Sequence, residues 1–302
     1  MRIFKTIFII FFCYLISSCS FIKTGYNNAP KLTIWWLNDY FNLTPTQTHT
    51  LEPALNNLHN WHRQQQMPQI ITLLNSMQTV FASDNVTADA VCKQVQAFKS
   101  SIYTLQIETI PIIIKLAPTL SHQQIARFLI KLDKRAEKWK SQWWQESERE
   151  QLAARFDKAE DFAEKVYGDL SNDQLTLLKT QLAQANFNPA TSFNEILRRN
   201  TDAVTILKAL QNESKSTEHT NDSDILQFAG QSQEIKAKIV QAGFDRMQKS
   251  PEIAYFQYSK KMAEHSCETI ANLHATTSIE QKLHAKKWLE NYIVQLSALQ
   301  TK

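Results

Sequence analysis

Glycine is scarce in this chain. Only four occur in 302 residues, at Gly25, Gly168, Gly230 and Gly243. A β-rich fold of this size needs many more glycines for its tight turns. Ala, Leu, Gln, Lys and Glu are abundant, and all are good helix formers. No segment sustains the apolar–polar alternation of a strand. The chain therefore reads as all-α.

Apolar spacing and breakers divide it into helices over about 31–41, 45–66, 68–82, 88–109, 122–167, 172–186, 190–211, 223–249, 251–275 and 279–299. Pro111 breaks or kinks the fourth of these. Segment 110–120 is apolar, yet Pro111, Lys115 and Pro118 exclude a membrane span. Residues 122–167 read as one long charged helix of ~70 Å at 1.5 Å per residue. Its first apolar stripe is Ile125, Leu129, Leu132, Ala136, Trp139 and Trp143. Its second is Leu152, Phe156, Ala159, Ala163 and Val166, one residue out of register, a drift that a helix tolerates. Residues 213–222 are polar, lack apolar anchors and read as a linker. It separates a main helical region, 31–212, from a C-terminal one, 223–302, though the two could still pack as one body.

The N-terminus has its own logic. Arg2 and Lys5 precede an apolar stretch over 6–16, and Ser17 and Ser18 precede Cys19. That is the layout of a secretory signal peptide over 1–18. The stretch is too short to span a bilayer, which takes ~20 apolar residues. Ile16-Ser17-Ser18-Cys19 resembles the lipobox of bacterial lipoproteins, which implies lipidation of Cys19. Residues 19–30 would then be a tether. Ser20, rather than Asp, after the lipidated residue implies the outer membrane, facing the periplasm. The fold expected overall is an elongated multi-helix bundle behind a lipoprotein signal peptide. Loss of Arg2 and Lys5 lowers the formal charge from +4 to +2, which is no footprint for nucleic acid.

Two cysteines lie beyond Cys19, at Cys92 and Cys267. An oxidising periplasm permits them to pair. Two separate buried thiols weigh slightly more, because the sequence does not place two helices side by side.

Three segments share a pattern: LTPTQ at 43–47, LSHQQ at 120–124 and LSNDQ at 170–174. Each reads as a capping box. The hydroxyl of Thr44, Ser121 or Ser171 accepts a first-turn amide, and Gln47, Gln124 or Gln174 reaches back to the cap. Leu43, Leu120 and Leu170 can staple the turn. Three different helix starts are not expected to meet at one pocket. The pattern is also similar to the LTxxQ motif of Spy-like and CpxP-like periplasmic helical proteins, which include a chaperone.

A wider resemblance rests on GYNNAPKLTIWWLNDYFNLTPTQ and WHRQQQMP. It is to an uncharacterised family of proteobacterial lipoproteins, through Tyr26, Asn27, Trp35, Trp36, Gln47, Trp61, His62, Arg63 and Pro68. It covers the first third of the chain well and implies no activity.

Trp61, His62 and Arg63 could form an interaction cluster, since Trp stacks, His titrates near neutrality and Arg binds anions. Helix packing is the competing reading and carries more weight. Adjacent tryptophans at 35–36 and 143–144 point ~100° apart, so one of each pair can be exposed. An exposed one near the anchor could rest on a bilayer. His59 with His62, or His265 with Cys267 and His274, lack a third ligand at convincing spacing, so no metal is expected. No phosphate loop, nucleophile elbow or HExxH appears. Neither cofactor nor enzymatic chemistry is expected. The function expected is binding or scaffolding in the envelope through a protein partner. A Spy-like chaperone and an unrecognised envelope enzyme are the alternatives.

Overall fold

The computed structural model describes residues 22–144, 147–215 and 222–300, with the side chains of 212–215 and 222–231 excepted. Residues 1–18, where a signal peptide is expected, and Cys19 lie outside the described residues. After a helical turn over 22–27 come α1 (Ala29–Phe41), α2 (Pro45–Trp61), a π turn (His62–Gln66), α3 (Met67–Phe81), α4 (Ala88–Glu108) and α5 (Ile110–Leu116). A 3₁₀ turn (Ala117–Thr119) leads into α6 (His122–Trp143), α7 (Glu148–Tyr167), α8 (Asn172–Gln184), α9 (Pro189–Lys215), α10 (Asp222–Gln248), α11 (Ile253–Ala275) and α12 (Ile279–Gln300). No strand occurs among the described residues.

The helices form two halves, and the chain alternates between them. Half A holds the consecutive helix pairs α1/α2, α5/α6 and α9/α10. Half B holds α3/α4, α7/α8 and α11/α12. In half A, α6 lies between α1 and α9, while α5 contacts α2 and α10. In half B, α12 lies between α3 and α7, and α11 lies between α4 and α8. The rod α2–π–α3 runs unbroken through both halves, from the Thr44 cap to Phe81, and is ~55 Å long by helix rise. The molecule is therefore an elongated bundle with a set of connecting turns at each end.

The π turn has a local cause. Pro68 cannot donate a backbone hydrogen bond, and its ring excludes the carbonyl four residues back. The backbone widens just before it, so that Met67 N bonds His62 O, five residues away. At the end of α7, Gly168 takes φ +78°, a left-handed conformation that suits glycine.

Half A has the larger core. It includes Phe41, Leu51, Leu55, Leu116, Leu120, Ile125, Leu207 and Leu210. The short helix α5 lies within it, burying Ile110, Ile112, Ile114 and Leu116. The apolar 110–120 stretch is thus an interior helix, and no described helix is long and apolar enough to cross a membrane. Half B has two small buried clusters, around Tyr167 and Leu273 and around Val91 and Cys267.

One expectation from the sequence is corrected. Residues 122–167 are two helices, α6 and α7, because Ser147 and Glu150 form a capping box that starts a new helix. Of the polar 213–222 stretch, 213–215 and 222 are helical, and 216–221 lie outside the described residues. Helices α9 and α10 extend into it, and the helices beyond it pack on α3, α4 and α5. Within 19–30, 22–27 is helical and Asn28 N bonds Thr24 O at 3.2 Å.

Candidate functional site

Three places bring sequence-marked residues together: a docked N-terminal segment, paired glutamine locks at the two ends, and a cystine.

Tyr26 and Asn27 lie against the junction of α2 and the π turn. The Tyr26 hydroxyl is 2.9 Å from His62 Nδ1. Arg63 Nη2 donates to Asn27 Oδ1 at 2.8 Å. The Arg63 guanidinium also stands 5.4 Å from the Tyr26 ring centre, and the His59 ring lies 4.6 Å from it. His62 and Arg63 thus meet the Tyr-Asn segment, while Trp61 is half-buried at the end of α2. Burial pushes the Tyr26 hydroxyl up against the pull of Arg63. Burial lowers His59, and the Arg63 cation lowers it further. Burial lowers His62 as well, helped by His59. The group therefore favours neutral imidazoles around one guanidinium, an arrangement suited to pinning a chain segment. His59 joins it through helical spacing: positions 59, 62 and 63 share one face.

The locks join the capping boxes in pairs. Thr44 and Ser121 both start helices, and Gln47 and Gln124 bond back to the two cap amides at 2.9 and 2.8 Å. The two glutamines also bond each other. Gln47 Nε2 donates to Gln124 Oε1 at 3.1 Å, and Gln124 Nε2 returns the bond to Gln47 Oε1 at 2.8 Å. Each second amide hydrogen reaches the backbone just before the partner's cap, at Thr119 O and Asn42 O.

The far end repeats this geometry. Ser171 and Gln174 form a capping box. Gln174 and Gln281 exchange bonds of 2.8 and 3.0 Å. Their remaining hydrogens reach Thr276 O and Asp169 O. The fourth member, Ser278 with Gln281, escapes a search for Leu-led segments because Thr277 stands where the others have Leu. The hydroxyl-to-Gln spacing was its available signal.

The three helix starts do not converge on one pocket, as their sequence suggests. They meet two by two, although not three at one place. A cleft of ≈ 590 Å³ lies over the first lock, lined by Thr46, Thr50, Gln123 and Arg127 among others. A second of ≈ 680 Å³ lies over the far one. The lock glutamines are fully paired, which makes them structural. Serine or threonine at the cap and glutamine three residues on allow helix ends to be sealed and joined by the same side chain.

Cys92 on α4 and Cys267 on α11 are joined by a disulfide, with Cα atoms 5.5 Å apart. The leaning toward separate thiols is corrected: α4 and α11 pack side by side, which sequence spacing does not encode. Of the other histidines considered, His265 Nε2 lies 2.7 Å from Gln181 O. His274 is fully buried between Tyr167 and Ser83 O. No group of three His, Cys, Asp or Glu side chains that could hold a metal occurs among the described residues. Trp143 and Trp144 pack with Phe187 and Phe193 at the α6–α7 break. Trp35 is 73% exposed, and Trp36, at 44%, rests on Tyr40 with ring centres 4.5 Å apart.

A family model described as a family of unknown function, DUF6279, matches residues 39–231. No curated protein and no solved structure matches the chain.

Proposed function

The chain belongs to a family of unknown function, DUF6279, and from that premise we propose that it is a lipoprotein held on the periplasmic face of the outer membrane by fatty acids on Cys19. There it binds or scaffolds a protein partner in the envelope and performs no chemistry of its own. The observation that carries this reading is the Cys92–Cys267 disulfide between two packed helices. Structural disulfides belong to oxidising compartments such as the periplasm. It agrees with the export signal and the Ile16-Ser17-Ser18-Cys19 segment at the other end of the argument. Two or more acyl chains on one residue give stable anchoring where one gives only marginal binding.

Metabolic labelling with a fatty-acid probe tests the anchor. The wild type should label and fractionate with the outer membrane, and Cys19→Ala should do neither. A fully labelled Cys19→Ala variant refutes the assignment. Affinity capture through the intact envelope then tests for the partner.

A chaperone-like role is the second reading. It is favoured by apolar side chains open to solvent in half B, with Phe162 edge-on to Trp288 and Val294 exposed on the same helix as Trp288. It requires the purified protein to suppress aggregation of an unfolded client.

A further inference from the structure

Helix α1 carries an aromatic and apolar face that the bundle leaves uncovered. Leu32 is 52% exposed, Trp35 73% and Trp36 44%. Burying such side chains in another helix would have been the usual outcome for large apolar groups. The opposite face of α1 does pack, through Ile34, Leu37, Tyr40 and Phe41, into the core of half A. The exposed face is therefore a second, separate surface on α1. Lys31 neighbours Leu32 in the chain, and α6 packs alongside α1, bringing Arg127 and Lys131 to it. Lys131 Nζ pairs with Asp39 Oδ1 at 2.5 Å, and Arg127 donates to Asp39 O, so cations border the aromatic patch.

The position of the patch in the chain says what covers it. Cys19 lies three residues before Ile22, within ~11 Å even if that stretch is fully extended. From Ile22 to Trp35 is ~20 Å along nearly continuous helix. Hydrogen bonds cross the joint at Asn28, from Asn28 N to Thr24 O and from Leu32 N to Asn28 O. The docking of Tyr26 on His62 and of Asn27 on Arg63 removes the remaining slack. A chain acylated at Cys19 thus keeps Trp35 within ~31 Å of the lipid surface, on a helix whose start is fixed against the bundle.

The geometry points to the Leu32–Trp35–Trp36 face of α1 as a bilayer contact. The indoles sit at headgroup level, with Lys31 beside them for an anionic lipid phosphate, while Lys131 and Arg127 are held by Asp39. Tryptophan favours this interface because its ring is apolar and its N–H is polar. A helix with one apolar aromatic face and basic flanks lies in the interface plane. The consequence is orientation: half A, with the docked N-terminus, rests on the membrane, and the long rod sets how far half B projects or extends from it. This inference rests on the anchor assigned to Cys19.

The test uses the full mature protein, purified with its N-terminal modification. It is reconstituted into phosphatidylethanolamine and phosphatidylglycerol vesicles with and without brominated acyl chains. Bromine quenches only tryptophans that reach the lipid. The wild type should be quenched, Trp35→Phe with Trp36→Phe should lose that quenching, and Trp143→Phe with Trp144→Phe should keep it. Fatty-acid labelling of the same preparation reports the anchor independently. Labelled protein whose tryptophans are not quenched overturns the bilayer contact alone and points to a protein covering α1. Quenching unchanged by the Trp35 and Trp36 replacements overturns it too, since another face would then meet the lipid. Protein that carries no label overturns the anchor and this inference together.

Discussion

Gln47 and Gln124 show how much one side chain can hold. Each carbonyl accepts from its own helix cap and from the other glutamine, and each amide donates twice. Removing one strands the other. We expect Gln124→Ala to lower unfolding free energy by ~2 kcal/mol, the scale of leaving buried polar groups unpaired. Urea denaturation measures it. Gln47→Ala with Gln124→Ala should cost clearly less than the sum of the two singles, because they share one interaction. His274 makes a different prediction. Ser83 O only accepts, so His274 Nε2 carries the proton at 3.1 Å, and Nδ1 accepts from the Tyr167 hydroxyl at 3.1 Å. Burial keeps that hydroxyl protonated and lowers His274 below its ordinary value of 6.5. Between the lowered value and 6.5 the unfolded chain binds more protons than the folded one. Stability present above pH 6.5 is therefore lost as pH falls toward the folded value. His59 and His62 shift the same way. Denaturation measured from pH 7.5 down to 5 should show the loss, and His274→Gln should flatten the slope. An unchanged slope would remove His274 from the explanation.

At the scale of helices, the division of 122–167 is the instructive case. α6 turns its apolar stripe to α1 and α9, whereas α7 turns its own to α8 and α12. A one-residue slip between stripes is compatible with a continuous helix, yet here the two stripes face different neighbours. Ser147 Oγ accepts from Glu150 N at 3.4 Å and Glu150 returns a bond to the Ser147 amide at 3.0 Å. We expect Ser147→Ala to cost ~1 kcal/mol. Hydrogen exchange should place the loss in the first turn of α7, with the α6 amides unaffected. Faster exchange spread evenly over both helices would argue against a local cap.

Across the whole molecule, packing is uneven, and the cystine lies in the half with the smaller core clusters. Half A has the extended core around Leu51 and Leu210, while Cys267 belongs to a small cluster with Val91 and Ala271. The bond spans 175 residues of sequence. A loop of that length is worth ~5 kcal/mol in the chain-entropy model. Cys92→Ser with Cys267→Ser should thus destabilise by several times more than any cap replacement. Half B should lose its exchange protection before half A does. Thiol counting on unreduced protein should find neither cysteine free.

Composition and local pattern were enough for the helical class, for most helix starts and for the caps at Thr44, Ser121 and Ser171. Those features depend on residues within one or two turns of each other, and glycine poverty, proline position and hydroxyl-to-Gln spacing report them directly. The break at Ser147 was written in the same local code and was masked by the continuing apolar stripe. What tertiary structure decided was which distant turns meet. The pairing of Gln47 with Gln124, of Gln174 with Gln281 and of Cys92 with Cys267 joins residues from 77 to 175 positions apart. The docking of Tyr26 on His62 joins residues 36 positions apart. No local propensity encodes those partners. They follow from how amphipathic rods bury their faces together, which is a property of the whole set of helices at once.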